Sequence, residues 1–119
     1  MVRLAIIGYG NVAQHLIQAF TKSNEIELVQ VFLRNNEAVS NLLSKDKITT
    51  DFSTLKEVDV YILAVSDDAI ASVSSQIPFE NRLVVHTSGS VSMAVLDDKH
   101  RKGIFEDTEA IASSETAKI

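Results

Sequence analysis

Cysteine is absent from this 119-residue chain, proline occurs once and glycine four times. Without cysteine there is no disulfide, no thiolate nucleophile and no thiolate zinc site, so the core has to hold by packing alone. Scarce proline and glycine, alongside 45% hydrophobic and 23% charged residues, exclude collagen-like, linker-like and extensively disordered chains. No eighteen consecutive residues are apolar, and the N-terminus enters a strand-like run with no basic segment ahead of it. Neither a membrane-spanning helix nor a secretory leader is expected, and a cytoplasmic location is. Basic residues are in deficit, 11 Lys and Arg against 16 Asp and Glu, for a net charge of −5. That balance opposes nonspecific nucleic-acid binding, so an anionic ligand must be held by backbone amides and individual arginines. The length is that of one domain.

What is present begins at the first turn. The apolar run Val2 to Ile7 leads into Gly8-Tyr9-Gly10-Asn11-Val12-Ala13, a GxGxxA pattern that opens a segment of helical period. In this pattern the first glycine permits a tight turn, the second removes a side chain where a pyrophosphate approaches the backbone, and the small third residue lets helix and strand pack closely. The free N–H groups of a helix starting near Asn11, and its dipole, favour a phosphate. The pattern in this strand–turn–helix context indicates a dinucleotide.

The rest of the chain repeats the alternation. Val12, Leu16, Ala19 and Phe20 are expected on the buried face of the first helix, and Ile26 to Leu33 reads as a second buried strand. A short helix is expected over Glu37 to Leu43, with Asn35-Asn36 as caps, and a brief third strand over Lys47 to Thr50. Val58 to Val65 reads as a fourth strand, followed by Ser66-Asp67-Asp68 as the N-cap of a helix from about Ala69 to Gln76. Pro78 ends that pattern; Leu83 to His86 is a fifth strand, Ser90 or Ser92 can cap a helix through Leu96, and Gly103-Ile104-Phe105 is a sixth strand. Right-handed crossovers between such strands imply an α/β fold, a doubly wound parallel Rossmann sheet of order 3-2-1-4-5-6, with its ligand crevice at the carboxyl ends of strands one and four. Residues 1–105 form this domain. Residues 106–119 are an acidic tail of four acids and one lysine, helical or frayed, to which no chemistry is assigned.

The end of the second strand chooses between nicotinamide cofactors. An acid there accepts from the adenosine ribose 2′-OH, whereas a cation accommodates a 2′-phosphate. Phe32-Leu33-Arg34-Asn35 offers no acid, and the planar multi-donor fork of Arg34 matches phosphate, with Asn35 as a further donor. NADP is favoured, NAD being the alternative. For chemistry, Ser66 and Asp67 are cofactor contacts at most, while His86-Thr87-Ser88-Gly89-Ser90 places three hydroxyls around a glycine at the end of the fifth strand. That loop could serve a carboxylate or the nicotinamide amide. His86 is expected to be a packed core residue, with His15 and His100 exposed; no spacing brings two histidines together with a carboxylate, so no metal site is expected. The catalytic residues are not readable.

Three segments in this order, Ile6 to Ala13, Ala64 to Ile70 and Val85 to Val91, resemble the Rossmann-like oxidoreductases related to pyrroline-5-carboxylate reductase and the deazaflavin-dependent NADP reductases, over about residues 1 to 105. The resemblance implies a two-domain protein whose helical second domain forms a dimer and completes the active site. It implies that Gly8, Gly10, Asn11 and Val12, with Tyr9 in the same turn, cradle the pyrophosphate, and that Arg34 meets the 2′-phosphate. Val65 and Ser66 would line the nicotinamide side, and Ser88 and Gly89 would border the substrate pocket. Where the family's sixth strand runs on through an aromatic-proline segment, this chain has Glu106-Asp107-Thr108. The expectation is an NADP-dependent oxidoreductase domain without its helical substrate and dimerisation domain, which is not expected to turn over alone. A noncatalytic NAD(P)-binding sensor is the alternative, and another nucleotide such as S-adenosylmethionine a third reading. An exposed apolar patch favours the enzyme half; a polar, self-contained surface favours the sensor.

Overall fold

The computed structural model describes residues 1–8, 10–34 and 43–104. Strand β1 (Val2–Ile7) has four consecutive fully buried residues, Leu4 to Ile7, the continuous apolar run of a strand covered on both faces. It leads into α1 (Asn11–Thr21), β2 (Ile26–Phe32), a two-residue β3 (Ile48–Thr49), β4 (Val60–Leu63), α2 (Ile70–Gln76), β5 (Leu83–His86) and β6 (Arg101–Ile104). All neighbours pair in parallel, in the order β3-β2-β1-β4-β5-β6. This is the expected order, and the chain reverses direction between β1 and β4.

Alternation along each strand divides the core into two layers. Leu4, Ile6, Val60, Ile62, Leu83 and Val85 pack with Ala13, Leu16, Ile17 and Phe20 of α1, whereas Ala5, Ile7, Tyr61, Leu63 and Val84 pack with Ile70, Ile77 and Leu96 on the other face. Each such large side chain contributes about 1.5–3 kcal/mol by leaving water. The register between β1 and β2 slips between Leu4 and Ala5, whose partners are Leu28 and Gln30. Leu28 and Val31 consequently both face the α1 layer, and Phe32 joins the opposite layer at the mouth of the sheet.

Several local expectations are corrected. The apolar face of α1 is Ala13, Leu16, Ile17 and Phe20; Ala19 is half-buried, and Val12, assigned to the core by periodicity, is 51% exposed. Val12 lies about a quarter turn around the helix from the centre of that face, so its side chain points away from the sheet although Ala13 beside it is fully buried. The fourth strand is trimmed to Val60–Leu63, and the sixth begins earlier, at Arg101. Asp67–Ala69 form a 3-10 turn before α2; Ser66 is at its N-cap position, but its side chain makes no capping bond. The helix expected after Ser90 or Ser92 is a single 3-10 turn, Met93–Val95, where Ser92 accepts from the Ala94 N–H. His100 is not exposed. It is buried against α2, where its Nε2–H donates to the Ser74 carbonyl at 2.8 Å. Nearly all of the Glu37–Leu43 helix, together with Tyr9, Asn35 and the 106–119 tail, lies outside the described residues.

Candidate functional site

The site forms where β1 ends. Gly8 turns the chain at φ +124°, in the region that disfavours side chains, and a Cβ there would lie 2.2 Å from the Ala64 carbonyl oxygen. Its N–H donates to the Phe32 carbonyl, and the Ala64 N–H to that of Ile7, both at 2.9 Å, so the turn is held against β2 and β4. Gly8 is therefore required by the fold.

Gly10 differs. Its backbone (φ −80°, ψ −167°) is extended and open to any residue, and an added Cβ would meet nothing within 4 Å. Packing gives no reason for a glycine here; a ligand that must lie against the backbone does. Gly10 is the N-cap of α1, no side chain caps the helix, and its first turn carries no acid. The leading N–H groups, beginning with Asn11, thus have no side-chain cap, and the positive end of the dipole lies at Gly10.

A cleft of about 780 Å³ opens from this turn along the carboxyl ends of the strands. Gly8 and Gly10 line its middle; Leu33, Arg34 and Thr50 line it beyond β2 and β3; Ala64, Val65, Ser66, Ala69, Val73 and Gln76 form the wall after β4. Phe32 and Phe52 stack in it with centroids 4.1 Å apart and planes 24° apart. Arg34 is exposed and has no hydrogen bond or ion pair among the described residues, in contrast to Arg82, which grips Glu57 at 2.5 Å. Among the described residues nothing occupies its guanidinium, which suits it to a ligand. Five residues singled out from the sequence, Gly8, Gly10, Arg34, Val65 and Ser66, come together here. Asn11, Val12, Ser88 and Gly89 are not part of its lining.

Sequence reasoning missed the aromatic pair and the α2 wall. The available signal was a phenylalanine at the end of β2 and another just after β3, on adjacent strands. It also missed what steadies the floor. The buried Gln30 side chain accepts from the Lys56 N–H (2.8 Å) and donates to the Thr54 carbonyl (3.3 Å), while the buried Tyr61 hydroxyl donates to the Lys56 carbonyl (2.6 Å) and accepts from the Val58 N–H (3.1 Å). These two side chains fix the β3–β4 connection that carries Phe52. Burial pushes the Tyr61 hydroxyl up to about 12, so it stays a donor.

His86 is fully buried, as expected of a core histidine, and its Nδ1 accepts from the Ser88 N–H at 3.1 Å. That bond assigns the remaining proton of the neutral ring to Nε2, which has no partner among the described residues.

A family model described as NADP oxidoreductase, coenzyme F420-dependent, matches residues 3–90. The chain belongs to this family. Its fold is similar to that of a candidate NADP oxidoreductase from Bacteroides fragilis, 30% identical with a TM-score of 0.71, over 87% of this chain and 43% of that one. Biliverdin reductase from Synechocystis sp., solved with biliverdin and NADP+, is 16% identical with a TM-score of 0.63, over 79% and 32%. A semialdehyde dehydrogenase NAD-binding protein from Cupriavidus necator, solved with calcium and NAD, is 18% identical with a TM-score of 0.62, over 98% and 48%. The last two show the fold alone. The chain spans less than half the length of each of these structures. No curated protein gives a significant match. The chain is a Rossmann domain of the oxidoreductase kind, and among the described residues no helix is long and apolar enough to cross a membrane.

Proposed function

We propose that this family member binds NADP(H) in the cleft and acts as the cofactor-holding half of a cytoplasmic oxidoreductase. The observation that carries the proposal is Gly10, a glycine with an ordinary backbone and empty space where its side chain would be. When bound, the nicotinamide supplies or accepts a hydride. The chain's own groups hold the rest of the molecule. The α1 N-terminus takes the pyrophosphate, and Arg34, unpaired among the described residues, takes the 2′-phosphate. The stacked Phe32 and Phe52, facing Val65 and Val73, give the adenosine half an apolar bed. The neighbours solved with NADP+ or NAD share this fold, which supports a dinucleotide over S-adenosylmethionine.

We further propose that the substrate pocket, bordered by Ser88 and Gly89, is completed by a helical domain or a partner chain, including a second copy. Support comes from the 43% coverage of the Bacteroides structure and from Met93 and Val95, apolar side chains of one 3-10 turn that are 46% and 40% exposed. The test is calorimetric titration with NADPH and NADH. NADPH should bind more tightly, and Arg34→Ala should bring it down to the NADH level, a loss of about ten- to a hundredfold for a charge-assisted phosphate contact. Equal affinity for the two cofactors in the unaltered chain removes the NADP reading.

A further inference from the structure

The loops that follow β4 and β5 are joined by hydrogen bonds whose direction is determined. Ser90 Oγ donates to Asp67 Oδ2 at 3.1 Å, Ser88 Oγ lies 3.3 Å from Ser90 Oγ, and the Ser90 N–H donates to Ser88 Oγ at 3.2 Å. A carboxylate accepts only, so the single hydroxyl proton of Ser90 is committed to Asp67. The proton shared between the two serines therefore belongs to Ser88. Ser88 Oγ then has no proton to offer outward: one lone pair receives the Ser90 N–H, and the other is free. The loop presents an acceptor, and Asp67 sets that polarity from two side chains away.

The position of this acceptor follows from the strand order. A dinucleotide with its 2′-phosphate at Arg34, after β2, and its pyrophosphate at Gly10, after β1, extends its other half over β4 and β5. The span from β2 to β5 is three strand spacings of about 4.8 Å, roughly 14 Å. Asp67 follows β4 and Ser88 follows β5. Between the two serines, a Cβ on Gly89 would meet nothing within 4 Å, so no neighbour crowds the loop at that point.

We infer that Asp67, acting through Ser90, orients Ser88 Oγ to accept a hydrogen bond from the carboxamide N–H of the bound cofactor. The inference rests on the dinucleotide reading above. Asp67 is a positioning residue in it, and Ser88 makes the contact.

The acid analogue of NADP+, with a carboxylate in place of the carboxamide, has no N–H to give. The experiment measures the affinities of NADP+, this analogue and adenosine 2′,5′-bisphosphate for the unaltered chain, Ser90→Ala, Asp67→Ala and Asp67→Asn. Asp67 and Ser90 are exposed, and thermal unfolding checks that each variant is folded. The unaltered chain should prefer NADP+ over the analogue by about tenfold or more. Ser90→Ala and Asp67→Ala should abolish most of that preference, while Asp67→Asn, whose amide oxygen still accepts from Ser90, should keep most of it. The bisphosphate should bind all four alike. The inference is overturned by a missing preference, by one that survives Ser90→Ala, or by parallel weakening of all three ligands. A preference lost in Asp67→Asn but kept in Ser90→Ala also overturns it, since that pattern is direct charge repulsion. Failure of the unaltered chain to bind any of the three removes the dinucleotide reading and this inference with it; intact NADP+ binding without the preference removes the inference alone.

Discussion

Gly8 and Gly10 are separated by one residue and belong to one motif, yet replacing each with alanine should have opposite consequences. Gly8→Ala puts a methyl 2.2 Å from a backbone carbonyl oxygen at φ +124°. The backbone conformation costs about 1–3 kcal/mol and the overlap a similar amount. The carbonyl cannot swing away easily, because the same peptide region is bonded between β1 and β4. A loss on the order of 2–6 kcal/mol, from a total of roughly 6–18 kcal/mol for a chain of this size, should lower the melting temperature by roughly 8–24 °C. Gly10→Ala meets no atom within 4 Å. Alanine is the poorer N-cap, but it restricts the unfolded chain by about 0.4–1 kcal/mol, so stability should stay within about 0.5 kcal/mol of the unaltered chain. Its methyl projects where the pyrophosphate would lie, and NADPH affinity should fall by at least about tenfold. Thermal unfolding and calorimetric titration of both variants test this. A Gly10→Ala chain that binds NADPH as tightly as the unaltered one would refute the reasoning, because the glycine would then serve neither fold nor ligand.

Three further outcomes are expected. Since burial raises the Tyr61 pKa to about 12 from the ordinary tyrosine value of 10.0, the folded state holds its proton more tightly than the unfolded state. This contribution to stability is complete below pH 10 and lost as pH rises through 12, and Tyr61→Phe should remove that part of the alkaline decline in denaturant unfolding. Tyr61→Phe should also cost about 1–3 kcal/mol at neutral pH, from the unpaired Val58 N–H and Lys56 carbonyl; a neutral result in the same assay contradicts the bracing role. His100→Ala, which leaves the Ser74 carbonyl with only the Ile77 N–H at 3.4 Å and empties a buried position, should destabilise by about 1–3 kcal/mol without changing cofactor affinity, measured by unfolding and titration on the same samples.

The features legible in the sequence were those written locally. The apolar runs from Val2, Ile26 and Leu83, and the glycine turn after Ile7, are signals within a few residues, and the β5 bounds Leu83–His86 were read without error. Boundaries drifted where an apolar run outlasted the hydrogen-bonded ladder, as at Val58–Val65, trimmed to Val60–Leu63. Val12 was misassigned because the apolar residues of the helix do not say where its buried face is centred: that face runs through Ala13, Leu16, Ile17 and Phe20, about a quarter turn from Val12. His100 was misassigned because its partner, the Ser74 carbonyl, is 26 residues away on another element.

By itself, then, the sequence determined the alternating elements and, through right-handed crossovers between parallel strands, their order in the sheet; it also singled out the glycine turn proposed to hold the dinucleotide. Only the tertiary structure separated Gly8, required by the Ala64 carbonyl, from Gly10, which no neighbour requires. It alone stacked Phe32 on Phe52 and linked Ser90 to Asp67. The physical reason is distance along the chain. Periodicity and turn chemistry act over a few residues, whereas the walls of this cleft are side chains 20 or more residues apart that meet only after the crossovers have laid the strand ends side by side.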